Sequence, residues 1–321
     1  MKLGKNNVDF GNSFIASGGL NFFGDGWKYD KLFKRFVPGF KKVIEATTFV
    51  AKTTTLDKRD GNMPLTKDLQ PKEIKPRCIK IYFFKGAVLN SVGLSGPGAQ
   101  SLIYEQKWQY IEKPFFISFM ALKDNAIGRL YETRQFVDML KKELPYFYAP
   151  IGLQINVSCP NTNHDTKELS KEALDILKVA SELGVPLDLK INIFMRSDTV
   201  KAIEDSGLCD MITISNTIPF GTPGVGIDWN KFGKGGISPL KDIGGGGLSG
   251  APILPCVLKR ISELRRDGIK MLIKGSGGIM TASDVDKMKS AGANAIEIGT
   301  VLMLRPWRAL AIIKRSKQIF S

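Results

Sequence analysis

Short apolar runs recur along the chain at 13–16 (SFIA), 48–52 (TFVAK), 115–120 (FFISFM), 153–157 (LQINV), 187–191 (LDLKI), 211–215 (MITIS), 271–274 (MLIK) and 295–298 (AIEI). Several are apolar nearly throughout, the pattern of strands covered on both faces. Between them, amphipathic spacing predicts helices over about 30–45, 99–112, 126–143, 166–183, 198–206, 255–266, 282–290 and 306–319. Local signals mark some of their ends. Asp198 is suited to cap the fifth helix and Gly207 to stop it. Pro255 suits a first helical turn and Gly268 follows that helix, while Thr281 precedes the seventh and Gly292 ends it. Strands alternating with helices in this way predict an α/β fold, a (β/α)8 TIM barrel in preference to a doubly wound sheet. No linker divides the chain, so residues 1–321 read as a single domain.

Two connections exceed ordinary lengths. Residues 53–97 follow the second strand and contain a further apolar run, 79–84 (IKIYFF), which reads as an inserted hairpin. Residues 216–254 follow the sixth strand and are glycine-rich. Both follow strands, which places both insertions at the C-terminal mouth of a barrel, where active sites sit. A length of 321 residues accommodates one barrel of about 250 with such insertions.

Charge widens the choice of partners. The chain has 46 Lys and Arg against 31 Asp and Glu, a formal +15. That excess suits nucleic acid, an anionic membrane or an anionic small molecule, or a basic surface with no ligand behind it. The single histidine, His164, leaves little imidazole for Ser-His or two-His metal designs, and no metal site is expected. Cys78, Cys159, Cys209 and Cys256 are far apart with no CxxC, so they read as reduced thiols. No signal-peptide h-region is visible, and the apolar runs fall far short of the ~18 residues of a span. A soluble, cytoplasmic protein is the expectation.

Three clusters carry candidate chemistry. The segment Asn156-Val157-Ser158-Cys159-Pro160-Asn161-Thr162 ends the fourth strand; Cys159 there can serve as a base or nucleophile, or be a plain buried cysteine. Lys52 and Lys190 lie within apolar strands near the mouth, where lysine rarely stays buried without a partner, so an anionic or electron-accepting ligand is the expectation. Gly275-Ser276-Gly277-Gly278 and Gly299-Thr300 follow the last two strands, where backbone N–H groups of a barrel commonly hold a phosphate. The run from Gly244 to Gly250 adds a segment of close approach.

As an ordered set these motifs resemble the dihydroorotate dehydrogenase family, FMN-dependent (β/α)8-barrel enzymes. The matching residues are Ala16-Ser17-Gly18, Lys52 to Thr55, Lys58 to Asn62, Asn90 to Leu94, Asn156 to Asn161, Lys190, Ser215 to Thr217, Gly246 to Gly250, Ser276 to Gly278, and Gly299-Thr300. The resemblance implies that Ala16, Ser17, Lys52, Thr53, Asn156, Lys190 and Ser215 hold the FMN ring. Gly246, Gly247, Gly277, Gly278, Gly299 and Thr300 would take its phosphate. Lys52, Asn90, Gly93, Leu94, Asn156, Asn161, Asn216 and Thr217 would bind dihydroorotate or orotate. Cys159 would be the catalytic base, as in the cytosolic type, assisted by Lys52. The resemblance also implies UMP biosynthesis and a homodimer, with fumarate or a partner electron-transfer subunit as acceptor. The barrel motifs begin near residue 12, so the quinone-using type, with its N-terminal helical extension, is not expected.

Two departures stand out. The loop after Thr162 reads Asn163-His164-Asp165-Thr166-Lys167 where the fumarate-using form usually has Gly and Pro, and 67–85 is longer and more basic than expected. His164 reads as a solvent-exposed loop residue in preference to a substrate contact. A tRNA dihydrouridine synthase shares the FMN barrel and an Asn-x-x-Cys-Pro loop, but it normally adds a helical RNA-binding domain, for which only one helix remains after Arg305. Nucleic acid is therefore not the expected partner. A non-catalytic flavin-binding homologue is the third reading, disfavoured by the intact set of candidate residues.

Overall fold

The computed structural model describes residues 1–157 and 166–320. Eight parallel strands form its centre: β1 (Ser13–Ile15), β2 (Thr48–Phe49), β3 (Phe115–Phe119), β4 (Ile151–Asn156), β5 (Leu187–Ile191), β6 (Met211–Ile214), β7 (Leu272–Ser276) and β8 (Ala295–Ile298). The order of pairing is β2-β1-β8-β7-β6-β5-β4-β3. The ring closes between β2 and β3 just beyond the regular part of β2. Ala51 N donates to Phe116 O at 2.8 Å and Thr54 N to Ser118 O at 2.9 Å. This is the expected (β/α)8 barrel, with each apolar run in its predicted place.

Helices connect the strands on the outside. Asn125 caps Ala126–Glu143 by accepting from Gly128 N. Thr281 and Asp284 form a reciprocal capping box on Ala282–Ala291, and Gly292 ends that helix at φ 105°. Three helical expectations change. The stretch expected over 30–45 is two helices, Lys28–Phe36 and Phe40–Glu45, because Pro38 withholds an N–H and Gly39 turns left-handed at φ 81°. Ala99–Tyr104 ends well before 112, with Gln106 at φ 56°. Asp198 is not the cap of Ser197–Ser206. Arg196 occupies that position, and Asp198 sits in the first turn, ion-paired to Arg196 at 2.6 Å.

The two insertions turn out to be one structure. Ile79–Tyr82 pairs antiparallel with Ala87–Asn90, as the hairpin reading expected. Ala87–Asn90 then pairs with Gly247–Gly250, which pairs with Ile218–Pro219. The result is a four-stranded antiparallel sheet built from segments about 160 residues apart in sequence, such as Ser249 opposite Val88.

Inside the barrel the side chains change character with height. At the N-terminal end Phe14, Val50, Phe116, Met211 and Ala295 pack together, joined by Phe10 and Leu3 from the N-terminal segment. Two residues further along the strands, Ser118, Gln154, Asp188, Thr213, Lys274 and Glu297 are buried polar groups. Strand alternation carries the same face on to Lys52, Asn156, Lys190, Ser215 and Ser276 at the mouth.

Candidate active site

A run of hydrogen bonds crosses the barrel below the mouth. Thr53 N donates to Ser17 Oγ at 2.8 Å, and the Thr53 hydroxyl lies 2.9 Å from that of Ser118. The Ser118 hydroxyl donates to Gln154 Oε1 at 3.1 Å, and Gln154 Nε2 to Asp188 Oδ2 at 2.7 Å. The Thr213 hydroxyl donates to Asp188 at 2.7 Å. Lys274 Nζ then bridges Asp188 Oδ2 at 2.8 Å and Glu297 Oε2 at 3.2 Å. Glu297 Oε1 accepts from Lys190 Nζ at 3.2 Å and from the Ser276 hydroxyl at 2.9 Å. Side chains of Asp188, Lys274 and Glu297 are fully enclosed.

Electrostatics in this layer follow from the pairing. Burial alone pushes the Glu297 carboxyl up, but the Lys190 and Lys274 ammoniums outweigh it and hold the group at about 2. Burial likewise opposes charge on Lys274, and Asp188 with Glu297 overcomes it, keeping the ammonium above its ordinary value.

Lys52 stands apart. It is 6% exposed, its Nζ donates to Ser95 O at 2.6 Å, and it lies 4.8 Å from the centre of the Phe22 ring. No carboxylate is within ion-pair distance of it among the described residues, and burial lowers its pKa to about 8. The two strand lysines therefore differ. Lys190, expected to await an anionic ligand, is compensated internally by Glu297, whereas Lys52 has no such partner among the described residues.

Several of the other candidate residues are in contact with one another. Asn216 Nδ2 donates to Asn156 Oδ1 at 3.4 Å, and Asn156 is in register with Lys190. Ser215 N donates to Ser276 O at 2.7 Å. Asn90 pairs with Gly247, where an added Cβ would lie 2.1 Å from Thr217 Oγ1. Gly93 and Leu94 form the turn after Asn90 at φ 70° and 58°, and Asn62 N donates to Val92 O at 2.8 Å. A Cβ on Gly299 would approach that of Ala16 to 3.3 Å, and the Thr300 hydroxyl donates to Ser249 Oγ at 2.9 Å. Gly246, Gly277 and Gly278 are left-handed at φ 82°, 112° and 85°. Cys159, Asn161 and His164 lie outside the described residues. Among the described residues, no cluster of three metal-ligating side chains occurs and no helix is long and apolar enough to cross a membrane.

The family model described as "Dihydroorotate dehydrogenase" matches residues 5–319. The chain belongs to the dihydroorotate dehydrogenase family. Relatives include "Dihydroorotate dehydrogenase B (NAD(+)), catalytic subunit" of Anoxybacillus flavithermus, 30% identical and covering 89% of this chain and 80% of that protein. "Dihydroorotate dehydrogenase A (fumarate)" of Lactobacillus delbrueckii subsp. bulgaricus is 30% identical over 91% of this chain and 84% of its own. A crystal structure of DHODH from Eimeria tenella in complex with ferulenol shares the fold. Its TM-score is 0.66 at 19% identity, covering 98% of this chain and 82% of that one. Membership of the dihydroorotate dehydrogenase family favours this reading over a tRNA dihydrouridine synthase.

In this dihydroorotate dehydrogenase family member, reading the sequence missed Asp188, Lys274 and Glu297. Their signal was present: LDLKI, MLIK and AIEI each carry a charge inside an apolar run. Asp188 and Lys190 are two positions apart, as are Lys274 and Ser276, the spacing of one strand face.

Proposed function

We propose that the chain oxidises dihydroorotate to orotate with FMN as cofactor, in de novo pyrimidine biosynthesis. The observation that carries this reading is Lys52. A buried ammonium with no carboxylate within ion-pair distance among the described residues, on the inward strand face that runs up to the barrel mouth, suits an anionic substrate.

The residues present fit FMN. Gly277 and Gly278 after β7 are left-handed, and a Cβ on Gly278 would lie 2.7 Å from Leu254 N, so the backbone there can present its N–H groups to a phosphate only as glycine. Gly277, Gly278, Gly299, Thr300, Gly246 and Gly247 would hold the phosphate. Ala16, Ser17, Thr53, Asn156, Ser215 and Lys190 would hold the ring, with the Lys190 ammonium near the edge that gains negative charge. Bound FMN would accept the hydride that leaves C6 of dihydroorotate.

The remaining roles belong to the protein. Lys52, Asn90, Gly93, Leu94, Asn156, Asn161, Asn216 and Thr217 bind the pyrimidine and its carboxylate. Cys159 removes the C5 proton, so that loss of H⁺ and H⁻ leaves the C5–C6 double bond of orotate. We assign the chain to a homodimer that returns its electrons to fumarate, as the name of one relative bears; a partner electron-transfer subunit is the other route, in keeping with relatives named as an NAD(+) type's catalytic subunit.

The test is anaerobic. Dihydroorotate should bleach the flavin of the purified protein, and fumarate should restore its colour. Flavin that stays oxidised would sink the reaction. Recovery only with an added partner chain would replace the fumarate assignment. Cys159→Ala should keep its FMN and lose most turnover near neutral pH; unchanged turnover would remove the base assignment.

A further inference from the structure

The charged groups inside the barrel form a balanced quartet. Lys190 and Lys274 supply two positive charges, Asp188 and Glu297 two negative ones, and the links run Asp188–Lys274–Glu297–Lys190. Every member is at most 8% exposed, so water screens these charges little. Lys190 is the member nearest the mouth. Its register neighbours are Asn156 on β4 and Thr213 on β6, and its ion-pair partner is Glu297 on β8, which also takes Ser276 and Lys274 from β7. Of these only Glu297 is an anion. Its carboxylate is shared: one oxygen serves Lys190 and Ser276, the other Lys274.

We propose that Glu297 is a positioning residue for electron transfer, holding the Lys190 ammonium at the barrel mouth and setting the charge balance against which the bound ring is reduced. The inference rests on the FMN reading above and goes beyond it, because Glu297 would act through Lys190, its ion-pair partner. Two features support it. Neutrality of the quartet means that Lys190 needs no ligand to stay in place, unlike Lys52. The Lys190 and Lys274 ammoniums hold the Glu297 carboxyl well below the ordinary carboxylate range, so it stays an anion near neutral pH.

The consequence is a sign rule. A ring that gains negative charge on reduction is favoured by added positive charge nearby and disfavoured by its loss. Glu297→Gln leaves the quartet at +1, and Lys274→Met leaves it at −1. Their holoenzymes should therefore show flavin midpoint potentials displaced in opposite directions, up for Glu297→Gln and down for Lys274→Met. Each displacement should correspond to about tenfold or more in the reduced-to-oxidised ratio. Glu297→Asp keeps the charge and should return the ratio to near the wild-type value.

The measurement begins with flavin content. Wild-type protein purified without FMN, and unable to bind it, ends the flavin reading itself. With FMN bound, potentials that stay put, or that move the same way in both charge variants, overturn the role of Glu297, because general loosening of the core has no reason to reverse sign. Should Glu297→Gln fail to fold, the downward shift of Lys274→Met and the near-wild-type value of Glu297→Asp carry the same decision.

Discussion

At the scale of single residues, the clearest contrast is between two lysines that look alike in sequence. Lys190 has a carboxylate 3.2 Å away, and Lys52 has a backbone carbonyl and an aromatic ring. Burying Lys52 depresses its pKa from 10.5 to about 8. The unfolded chain then binds more protons than the folded one between those values. Without ligand, stability should rise as pH climbs from 8 to 10.5, by up to about 3 kcal/mol. Lys52→Met removes the effect. Its urea-unfolding advantage over wild type should be largest at pH 8 and below, and should shrink toward pH 10.5. A difference that stays flat across that window would refute the burial penalty. Orotate, by supplying the missing anion, should bind more weakly as pH rises through 8, read by calorimetry in parallel with Lys52→Met.

At the scale of elements, the sheet that unites the two insertions carries Asn90 on one strand and Gly247 on the next. Its geometry depends on Gly250, at φ 95°, where a Cβ would lie 2.1 Å from Gly86 O and 2.9 Å from Ala87 Cα. Backbone on that side has no flexible end to move aside. Gly250→Ala should cost about 2 kcal/mol or more of stability and raise KM for dihydroorotate more than it lowers kcat. Urea titration and steady-state kinetics check both. The same scale shows where local signals succeed. Thr281 and Gly292 bound their helix because the capping groups lie within four residues of the backbone they satisfy. The helix expected over 30–45 broke because a Pro-Gly pair outweighed continuous amphipathic spacing.

At the scale of the whole molecule, the +15 charge reads as surface. Lys31, Lys34, Lys41, Lys42, Lys314 and Lys317 are exposed, and the buried quartet contributes nothing to the net value. The field of so many cations should still hasten capture of an anionic substrate. kcat/KM for dihydroorotate should fall as ionic strength rises from about 10 mM to 200 mM, with kcat little changed. An increase would assign the charge no steering role. We also expect residues 1–321 to unfold as one unit. Tryptophan fluorescence and far-UV circular dichroism should report one coincident urea transition, and separate transitions would divide the chain.

What the sequence determined by itself is the barrel, the order of its strands, both insertions at the mouth, and a family resemblance complete enough to name candidate residues. These follow from short apolar runs, helical spacing and short motifs, all of which depend on neighbours along the chain. Only the tertiary structure decided that the insertions share a sheet, that β2 closes onto β3 past its regular part, and that Lys190 answers to Glu297 while Lys52 answers to no carboxylate among the described residues. Glu297 lies 107 residues from Lys190, and a lone charge in an apolar run does not say which opposite charge will meet it. Burial makes that pairing energetically decisive, and it is settled only when strands far apart in sequence stand side by side.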